Sequence, residues 1–336
     1  MSKRAVFFAK VEDVSILERN EFYAVDLRIL RESGWEVTVT IDPFRIPAAD
    51  VYFVWWWTWA VFPLLRARLA GRPIVIVGVF DHVLADGSLE GFPKRSAVHR
   101  TMMRAALRFA DANVFCSRLE LERLQQEFTI RNASFSHCAV DGALFRPASV
   151  PREPFVLSFC WMNAHNPKRK CIAESIRAVA ALHARYPAYQ YRICGAKLEG
   201  YPELQRLVDD LGATEYIQFL GVVSREEKVA LMQRCAVYLQ PTRVEGFGLA
   251  IAEAMACGAP VVSSPVGTVP EVVGDAALLV DGASPEAIAT GLTSLLDDEP
   301  GRLALGKRAH ERVAAMFTYE KRKADITRVL HAVMPR

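Results

Sequence analysis

The segment 237–258 constrains the fold of this chain more than any other. It consists of a short apolar strand, a polar turn with two glycines and a compact alanine-rich helix. Residues 250–255 are good helix formers, and Gly258 can end the helix. Pro260 then prevents further helical winding. The segment therefore predicts a strand that leads through a glycine turn into a short helix.

The start of that helix predicts an anion site. Gly246 and Gly248 leave backbone N–H groups close to whatever lies above them. A helix N-terminus carries roughly half a positive charge, and phosphate is the anion that suits it best. Glu245 and Glu253 flank the turn, and carboxylates accept hydrogen bonds from sugar hydroxyls. The stretch therefore predicts a site for a sugar nucleotide.

Two other interpretations of the same segment stay open. A buried helix capped by a glycine turn accounts for the alanines but for neither glutamate. A dinucleotide site of the G-x-G-x-x-G type is the second alternative. That site needs Gly or Ala at its third position for close packing of helix on strand, and Ile251 stands there instead.

Length and composition predict a two-domain globular protein. The 336 residues exceed one typical domain, and a hydrophobic share of 51% with 24% charged residues is ordinary for soluble proteins. The net charge of +3 is too small to indicate nucleic-acid binding. No apolar stretch suits a signal peptide or a spanning helix, so we expect a cytoplasmic protein. Seven scattered cysteines without metal-ligand spacing predict reduced core thiols.

Short apolar strands alternate with helices along the whole chain, which predicts parallel sheets with helices on both faces. The first half carries predicted strands at 5–9, 35–41, 50–56, 73–79 and 112–116. The second half carries predicted strands at 155–160, 189–194, 217–220, 260–263 and 277–280. Two successive units of this kind predict two doubly wound domains that face a cleft.

The motif residues resemble a known family. Glu-Gly-Phe-Gly-Leu at 245–249, followed by Glu-Ala-Met-Ala-Cys-Gly-Ala-Pro-Val-Val at 253–262, resembles the donor-site signature of the retaining glycosyltransferases of family 4. That signature is two glutamates separated by seven residues. Val-Asp at 140–141, followed by Phe-Arg-Pro at 145–147, resembles the linker of the same family. The resemblance covers the second half and, more thinly, the first.

The resemblance implies the GT-B fold, an α/β architecture of two doubly wound, Rossmann-like domains facing a cleft. Residues 1–150 would form the N-terminal acceptor-side domain, and 151–317 the C-terminal domain that binds the nucleotide-sugar donor. Residues 318–336 would form a terminal helix that returns to the N-terminal domain. The implied activity moves a sugar from a nucleoside-diphosphate-sugar to an acceptor hydroxyl, with retention and without a metal or other cofactor. The acceptor is a glycan, a lipid-linked glycan or a small molecule.

The family grips the donor phosphates with an arginine and, about five residues later, a Lys-Gly pair. Lys170 matches the lysine, whereas Cys171 stands at the glycine and His165 at the arginine position. Either Arg169 replaces the missing arginine, or the diphosphate is held by one cation fewer. A solvated basic turn is the remaining alternative.

The resemblance also implies individual roles in the donor site. Glu253 would hold the ribose hydroxyls and Glu245 the hydroxyls of the donor sugar. His82, at the end of the fourth predicted strand, would donate to a sugar hydroxyl or to the leaving phosphate, or would only cap a loop. The implied catalytic residues are Glu245, His82 and Lys170. The implied donor-binding residues are Arg169, Lys170, Gly195, Gly221, Val222, Glu245, Gly246, Phe247, Gly248, Leu249 and Glu253.

Two features of the first half suit a membrane or an apolar acceptor. Four tryptophans lie within 55–59, and a predicted basic helix over 94–110 carries arginines beside Met102, Met103 and Leu107. Tryptophans with nearby cations suit the headgroup zone, which predicts peripheral contact with the inner membrane surface. Core aromatics beneath a solvated basic helix are the alternative.

Two other classes of function stay open at this point. One is an enzyme of the same fold with different chemistry, such as a nucleotide-sugar epimerase or a phosphorylase. The other is a non-catalytic, membrane-associated protein that binds sugar nucleotides. Uridine and guanosine donors are both admissible, because main-chain contacts to a base leave little trace in a sequence.

Overall fold

The computed structural model describes residues 3–80 and 91–334. The chain divides into two compact units. Unit 1 comprises Met1–Ala139 and Phe317–Arg336, and unit 2 comprises Val140–Met316. The predicted boundary at residue 150 therefore lies inside unit 2. The residues before it pack there, since the carbonyl oxygen of Arg146 accepts a hydrogen bond of 2.8 Å from Gln233 Nε2.

A parallel sheet forms the centre of unit 1. Among its described residues, six strands pair side by side, namely β1 (Lys3–Ala9), β2 (Trp35–Thr40), β3 (Val51–Trp55), β4 (Ile74–Gly78), β5 (Ala112–Phe115) and β6 (Ala133–Phe135). Their order is β2-β1-β3-β4-β5-β6. Every residue of β3, β4 and β5 is buried, as expected for parallel strands covered on both faces. The first five strands match the predicted ones to within two residues at each end. The short edge strand β6 had no counterpart in the sequence prediction.

Helices cover both faces of this sheet. They are α1 (Ile16–Arg19), α2 (Glu21–Glu32), α3 (Val61–Ala70), α4 (Ala97–Phe109) and α5 (Arg118–Leu124). The predicted start of the basic helix at residue 94 was wrong. Phe92–Lys94 is a single 3₁₀ turn, and the side chain of Ser96 caps α4 by accepting a hydrogen bond from the N–H of His99. A serine N-cap satisfies one of the N–H groups that lack an intrahelical acceptor, so it fixes the start of the helix.

Unit 2 is built around a second parallel sheet. Its strands among the described residues are β7 (Glu153–Phe159), β8 (Gln190–Cys194), β9 (Ile217–Gly221), β10 (Cys235–Gln240), β11 (Val261–Ser263) and β12 (Leu278–Leu279). They pair in the order β12-β11-β10-β7-β8-β9. The order therefore reverses between β7 and β10. The two six-stranded parallel sheets with their helices confirm the predicted α/β fold class.

The helices of unit 2 flank its sheet. They are α6 (Asn166–Arg169), α7 (Ile172–Leu182), α8 (Tyr201–Asp210), α9 (Arg225–Arg234), α10 (Leu249–Ala256), α11 (Val269–Val273), α12 (Pro285–Asp297) and α13 (Glu299–Met316). Helix α9 begins with a capping box, in which the Ser224 side chain accepts from the Glu227 N–H and the Glu227 side chain accepts from the Ser224 N–H. All seven cysteines of the chain are buried and unpaired, which confirms the prediction of core thiols.

The terminal helix α14 (Tyr319–Val333) belongs to unit 1, as predicted. Its Arg322 donates to both carboxylate oxygens of Asp26, at 2.8 and 2.7 Å, and both side chains are at most 1% exposed. Asp26 also accepts a hydrogen bond of 3.0 Å from Trp55 Nε1. Burial alone would lower the pKa of Arg322, but Asp26 outweighs this effect and raises it. This ion pair ties α14 to α2 and to the end of β3.

We expect Arg322→Met to destabilise unit 1 by about 3–5 kcal/mol, because it leaves the Asp26 carboxylate buried without its cation. Urea unfolding followed by tryptophan fluorescence measures this, since five of the six tryptophans lie in unit 1. The matched control is Arg328→Met on the same helix, because the Arg328 side chain is 73% exposed in its pair with Asp325. The control should cost less than about 1 kcal/mol. Equal effects of the two variants would contradict a structural role for the buried pair.

Candidate functional site

The predicted motif lies at the carboxyl ends of the strands where the order of the unit 2 sheet reverses. Open α/β sheets bind ligands at such points. The loop after β10 leads into α10, and the loop after β7 leads through α6 into α7. The carbonyl oxygen of Arg169 joins the two loops, since it accepts from the Arg243 N–H at 2.8 Å and from Thr242 Oγ1 at 3.0 Å. Motif residues that are some 75 positions apart in sequence are thereby brought together.

Helix α10 confirms the predicted strand, turn and helix. All residues of β10 are buried, and so is α10 from Ile251 to its end. Gly248 is the N-cap residue, with a left-handed φ of +87°, and no side chain caps this helix start. The carbonyl oxygen of Gly246 accepts a hydrogen bond of 2.9 Å from Thr268 Oγ1. The first N–H groups of a helix have no intrahelical acceptor, so this uncapped start is suited to an anion.

Glu253 is a buried carboxylate with a lysine partner. The residue is 2% exposed, and its Oε2 lies 2.6 Å from Lys228 Nζ on α9. The same ammonium lies 5.3 Å from the ring centre of Phe145 and 5.8 Å from that of Phe159. Lys228 was missed by the sequence analysis, because it lies on a neighbouring helix and its spacing from Glu253 carries no local signal. The ammonium of Lys228 offsets the cost of burying this carboxylate.

Glu245 is paired with Arg169. Arg169 Nη1 lies 3.3 Å from Glu245 Oε2 and donates to the carbonyl oxygen of Val244 at 3.0 Å. Arg169 Nε donates to Asn166 Oδ1 at 3.2 Å, which orients the guanidinium. In this structure the guanidinium of Arg169 therefore faces Glu245 and the turn.

Lys170 lies at the carboxyl end of β7. Its Nζ donates to the carbonyl oxygen of Phe159, the last residue of that strand, at 3.0 Å. Burial lowers the pKa of Lys170 because it disfavours the charged ammonium, and the nearby Glu245 partly offsets this effect. An ammonium has three donor protons, so this single bond to Phe159 leaves two for a ligand.

The remaining predicted residues have different surroundings. A Cβ at Gly195 would lie 1.9 Å from the carbonyl oxygen of Cys160, and its φ is +142°, so only glycine fits there. Gly221 has a φ of +77° and open space at its Cβ position, and Val222 is 72% exposed. His82 lies outside the described residues.

The aromatic segment of unit 1 is partly core. Trp55 and Trp57 are each 1% exposed, and Trp57 Nε1 donates to Asn113 Oδ1 at 2.7 Å. Met103 and Leu107 of α4 are buried in the same core. These four side chains cannot reach a membrane, so that expectation was wrong for them. No helix within residues 3–80 and 91–334 is long and apolar enough to cross a bilayer.

Sequence comparison relates the chain to glycosyltransferases. Residues 160–312 match the family model for glycosyl transferases group 1. A D-inositol 3-phosphate glycosyltransferase of Corynebacterium glutamicum (strain R) is 37% identical over 159 residues, which are 45% of this chain and 38% of the relative. The match thus spans well under two thirds of that relative. A GDP-mannose-dependent alpha-(1-6)-phosphatidylinositol monomannoside mannosyltransferase of Mycobacterium tuberculosis (strain ATCC 25618 / H37Rv) is 27% identical over 310 residues, which are 86% of this chain and 78% of the relative.

Solved structures match over nearly the whole length. Sucrose-phosphate synthase from Thermosynechococcus elongatus superposes with a TM-score of 0.79 at 18% identity, over 98% of both chains. HepE of Anabaena, in complex with UDP-glucose, gives a TM-score of 0.78 at 18% identity, over 98% of this chain and 99% of that one. The likeness establishes the fold. The chain therefore has the GT-B fold of two Rossmann-like units, and residues 160–312 of its second unit are similar to glycosyl transferases group 1.

Proposed function

We propose that this protein is a retaining glycosyltransferase of family 4, which transfers a sugar from a nucleoside-diphosphate-sugar to an acceptor hydroxyl. The observation that carries the proposal is the uncapped start of α10, with Lys170 and Glu245 in the joined loops beside it and Glu253 on the helix itself. Two glutamates beside an anion site match a ligand that has a diphosphate between two hydroxyl-bearing rings.

The diphosphate of the donor binds at the start of α10. The N–H groups of residues 247–249 donate to its oxygens, and Lys170 adds the protons that Phe159 leaves available. These donors are fixed before the reaction, so they stabilise the charge that develops on the leaving diphosphate. Lys170 and the helix start supply the positive charge that stabilises the leaving diphosphate. We therefore propose a reaction that needs no metal and no other cofactor.

Glu253 binds the ribose hydroxyls, and Glu245 binds the hydroxyls of the transferred sugar. Each carboxylate already has one cation partner, Lys228 or Arg169. A carboxylate has about four acceptor positions, so an ion pair does not exclude hydrogen bonds from ligand hydroxyls. Arg169 holds Glu245 in place rather than gripping the phosphates, which favours the alternative with one phosphate cation fewer.

The reaction retains the anomeric configuration. The acceptor hydroxyl attacks on the face that the diphosphate leaves, and a phosphate oxygen takes its proton. The carbon–oxygen bond to the diphosphate breaks as the bond to the acceptor oxygen forms. We propose that His82 donates a hydrogen bond to a sugar hydroxyl or to the leaving phosphate.

The donor is a uridine or guanosine diphosphate sugar, and the acceptor is a hydroxyl compound of the glycolipid or glycan class. Similar proteins support this range, since they include a GDP-mannose-dependent mannosyltransferase and a protein solved in complex with UDP-glucose. We place the protein in the cytoplasm, with peripheral contact to the inner membrane surface. No observation favours an epimerase, a phosphorylase or a non-catalytic binder.

We expect Glu245→Ala to lower the rate of sugar transfer by about tenfold or more, because the donor sugar loses the acceptor of its hydroxyl hydrogen bonds. Transfer is measured with the UDP- or GDP-sugar that the protein accepts, and thermal melting checks the fold. The matched control is Glu226→Ala on the exposed surface of α9, which should transfer normally. Near-normal transfer by Glu245→Ala would contradict the proposed role of Glu245 in binding the donor sugar.

The lowered pKa of Lys170 predicts a pH dependence of nucleotide binding. The protonated ammonium binds the diphosphate, so affinity is highest below the pKa of Lys170 and falls as pH rises through it. Because that pKa is lowered, the fall begins below the usual lysine value of 10.5. Titration calorimetry with UDP and GDP between about pH 7.5 and 10 measures this. The ring N–H of uracil and of guanine also loses its proton within this range, so the effect of the lysine is the difference from a variant whose charge is fixed.

Lys170→Arg is the control for this titration, because a guanidinium stays charged over the whole range. Its nucleotide affinity should change with pH only through titration of the base, and so less than that of the wild type, and Lys170→Ala should bind weakly at every pH. Equal nucleotide affinity of the wild-type protein and Lys170→Ala would contradict a contact between Lys170 and the diphosphate.

A further inference from the structure

Unit 1 contains a cavity at the point where the strand order of its own sheet reverses. Its strand order reverses between β1 and β3, so the carboxyl ends of these two strands are where a ligand is expected. A cavity of about 330 Å³ lies there. Its lining includes Lys10 directly after β1, Trp56 directly after β3 and Phe80 after β4. That volume falls within the range of small-molecule sites.

The aromatic wall of the cavity is held in a strained conformation. Trp56 has a φ of +75°, in the left-handed region that non-glycine residues rarely adopt. Its Nε1 donates to the hydroxyl of Tyr23 at 2.5 Å, which fixes the indole. A Cβ at Gly78 would lie 3.2 Å from Trp56 Cε3, so glycine makes room for the ring. Such strain persists where the surroundings enforce it, and it concentrates at binding sites.

Trp56 and Trp59 both line the cavity and keep part of their surface exposed, unlike the fully buried Trp55 and Trp57. The face of an indole ring carries negative potential. It attracts the weakly positive C–H groups on one face of a sugar or cyclitol ring. The two half-exposed rings therefore suit a flat ring compound with hydroxyl groups at its edge.

Two cations line the same cavity. Lys10 is exposed, and it forms no ion pair with a described residue. Arg95 is half-buried, and its Nε is buried without a hydrogen-bond partner. None of the described lining residues is acidic. A buried guanidinium nitrogen without an acceptor is costly, and an anionic ligand would supply an acceptor that the described residues do not.

We propose that this cavity binds the phosphate ester of a ring alcohol, a sugar or a cyclitol. The ring lies against Trp56 and Trp59, and the phosphate accepts hydrogen bonds from Arg95 and Lys10. On the proposed function of the chain, this ring phosphate is the acceptor, and one of its hydroxyls receives the sugar. The phosphate is a recognition group and takes no part in bond formation.

Tryptophan fluorescence tests this binding in the absence of any nucleotide. The probes are glucose 6-phosphate and myo-inositol 3-phosphate, compared with glucose and myo-inositol, with glycerol 3-phosphate and with inorganic phosphate. We expect a saturable change with at least one ring phosphate, and affinity at least about tenfold weaker for the unphosphorylated ring and for the phosphates without a ring. Vesicles containing phosphatidylinositol form a further arm, which separates a lipid headgroup from a free ring phosphate.

Arg95→Met and Lys10→Met should each weaken binding of the responding ring phosphate by about tenfold. The matched control is Lys94→Met, because Lys94 is an exposed neighbour that does not line the cavity. Thermal melting of each variant checks that the fold is unchanged. Absence of binding by every ring phosphate at millimolar concentration would overturn the proposal. Binding that survives both substitutions, or equal binding of inorganic phosphate, would also overturn it.

Nucleotide binding is measured on the same variants and separates this inference from the proposed function. If UDP or GDP binds and no ring phosphate does, the cavity proposal fails and the donor site stands. If a ring phosphate binds and neither nucleotide does, the cavity proposal stands and the proposed function fails.

Discussion

Burial of α10 behind the carboxyl end of β10 is the constraint on which the proposed donor site depends. The strand is buried throughout and the helix from Ile251 onward, so neither can shift without exposing core side chains. Gly248 makes the reversal between them in a left-handed conformation. Gly267 closes the turn from behind, where a Cβ would lie 2.3 Å from the carbonyl oxygen of Glu245. Apolar packing thus fixes the position of a polar helix start.

The proposed site also depends on the pairing of its carboxylates with cations. Glu253 would be costly inside the protein without Lys228, and Glu245 is neutralised by Arg169. Lys170 donates to the carbonyl oxygen of Phe159 instead of forming such an ion pair. Its lowered pKa reflects the cost of keeping that charge half-buried. A diphosphate ligand would relieve this cost, which makes the ligand part of the electrostatic balance of unit 2.

The local parts of the fold could be predicted from the sequence, and the contacts between distant segments could not. The start of α10 depends on a glycine turn next to an apolar strand, and both are visible in a short window. Lys228 lies on another helix, so its bond to Glu253 needs the sheet order to be known. The burial of Trp55 depends on Asp26 and on the returning helix α14, which are equally remote in sequence. The strained Trp56 and the cavity at the end of β1 could not be predicted for the same reason, because both depend on contacts between segments that are distant in sequence.

A crystal structure of the protein with bound UDP or GDP tests the central claim most directly. We predict that the diphosphate lies at the start of α10, within hydrogen-bonding distance of the N–H groups of residues 247–249 and of Lys170 Nζ. We also predict that the ribose hydroxyls lie against Glu253. An ordered diphosphate bound elsewhere, with the start of α10 unoccupied, would contradict the account.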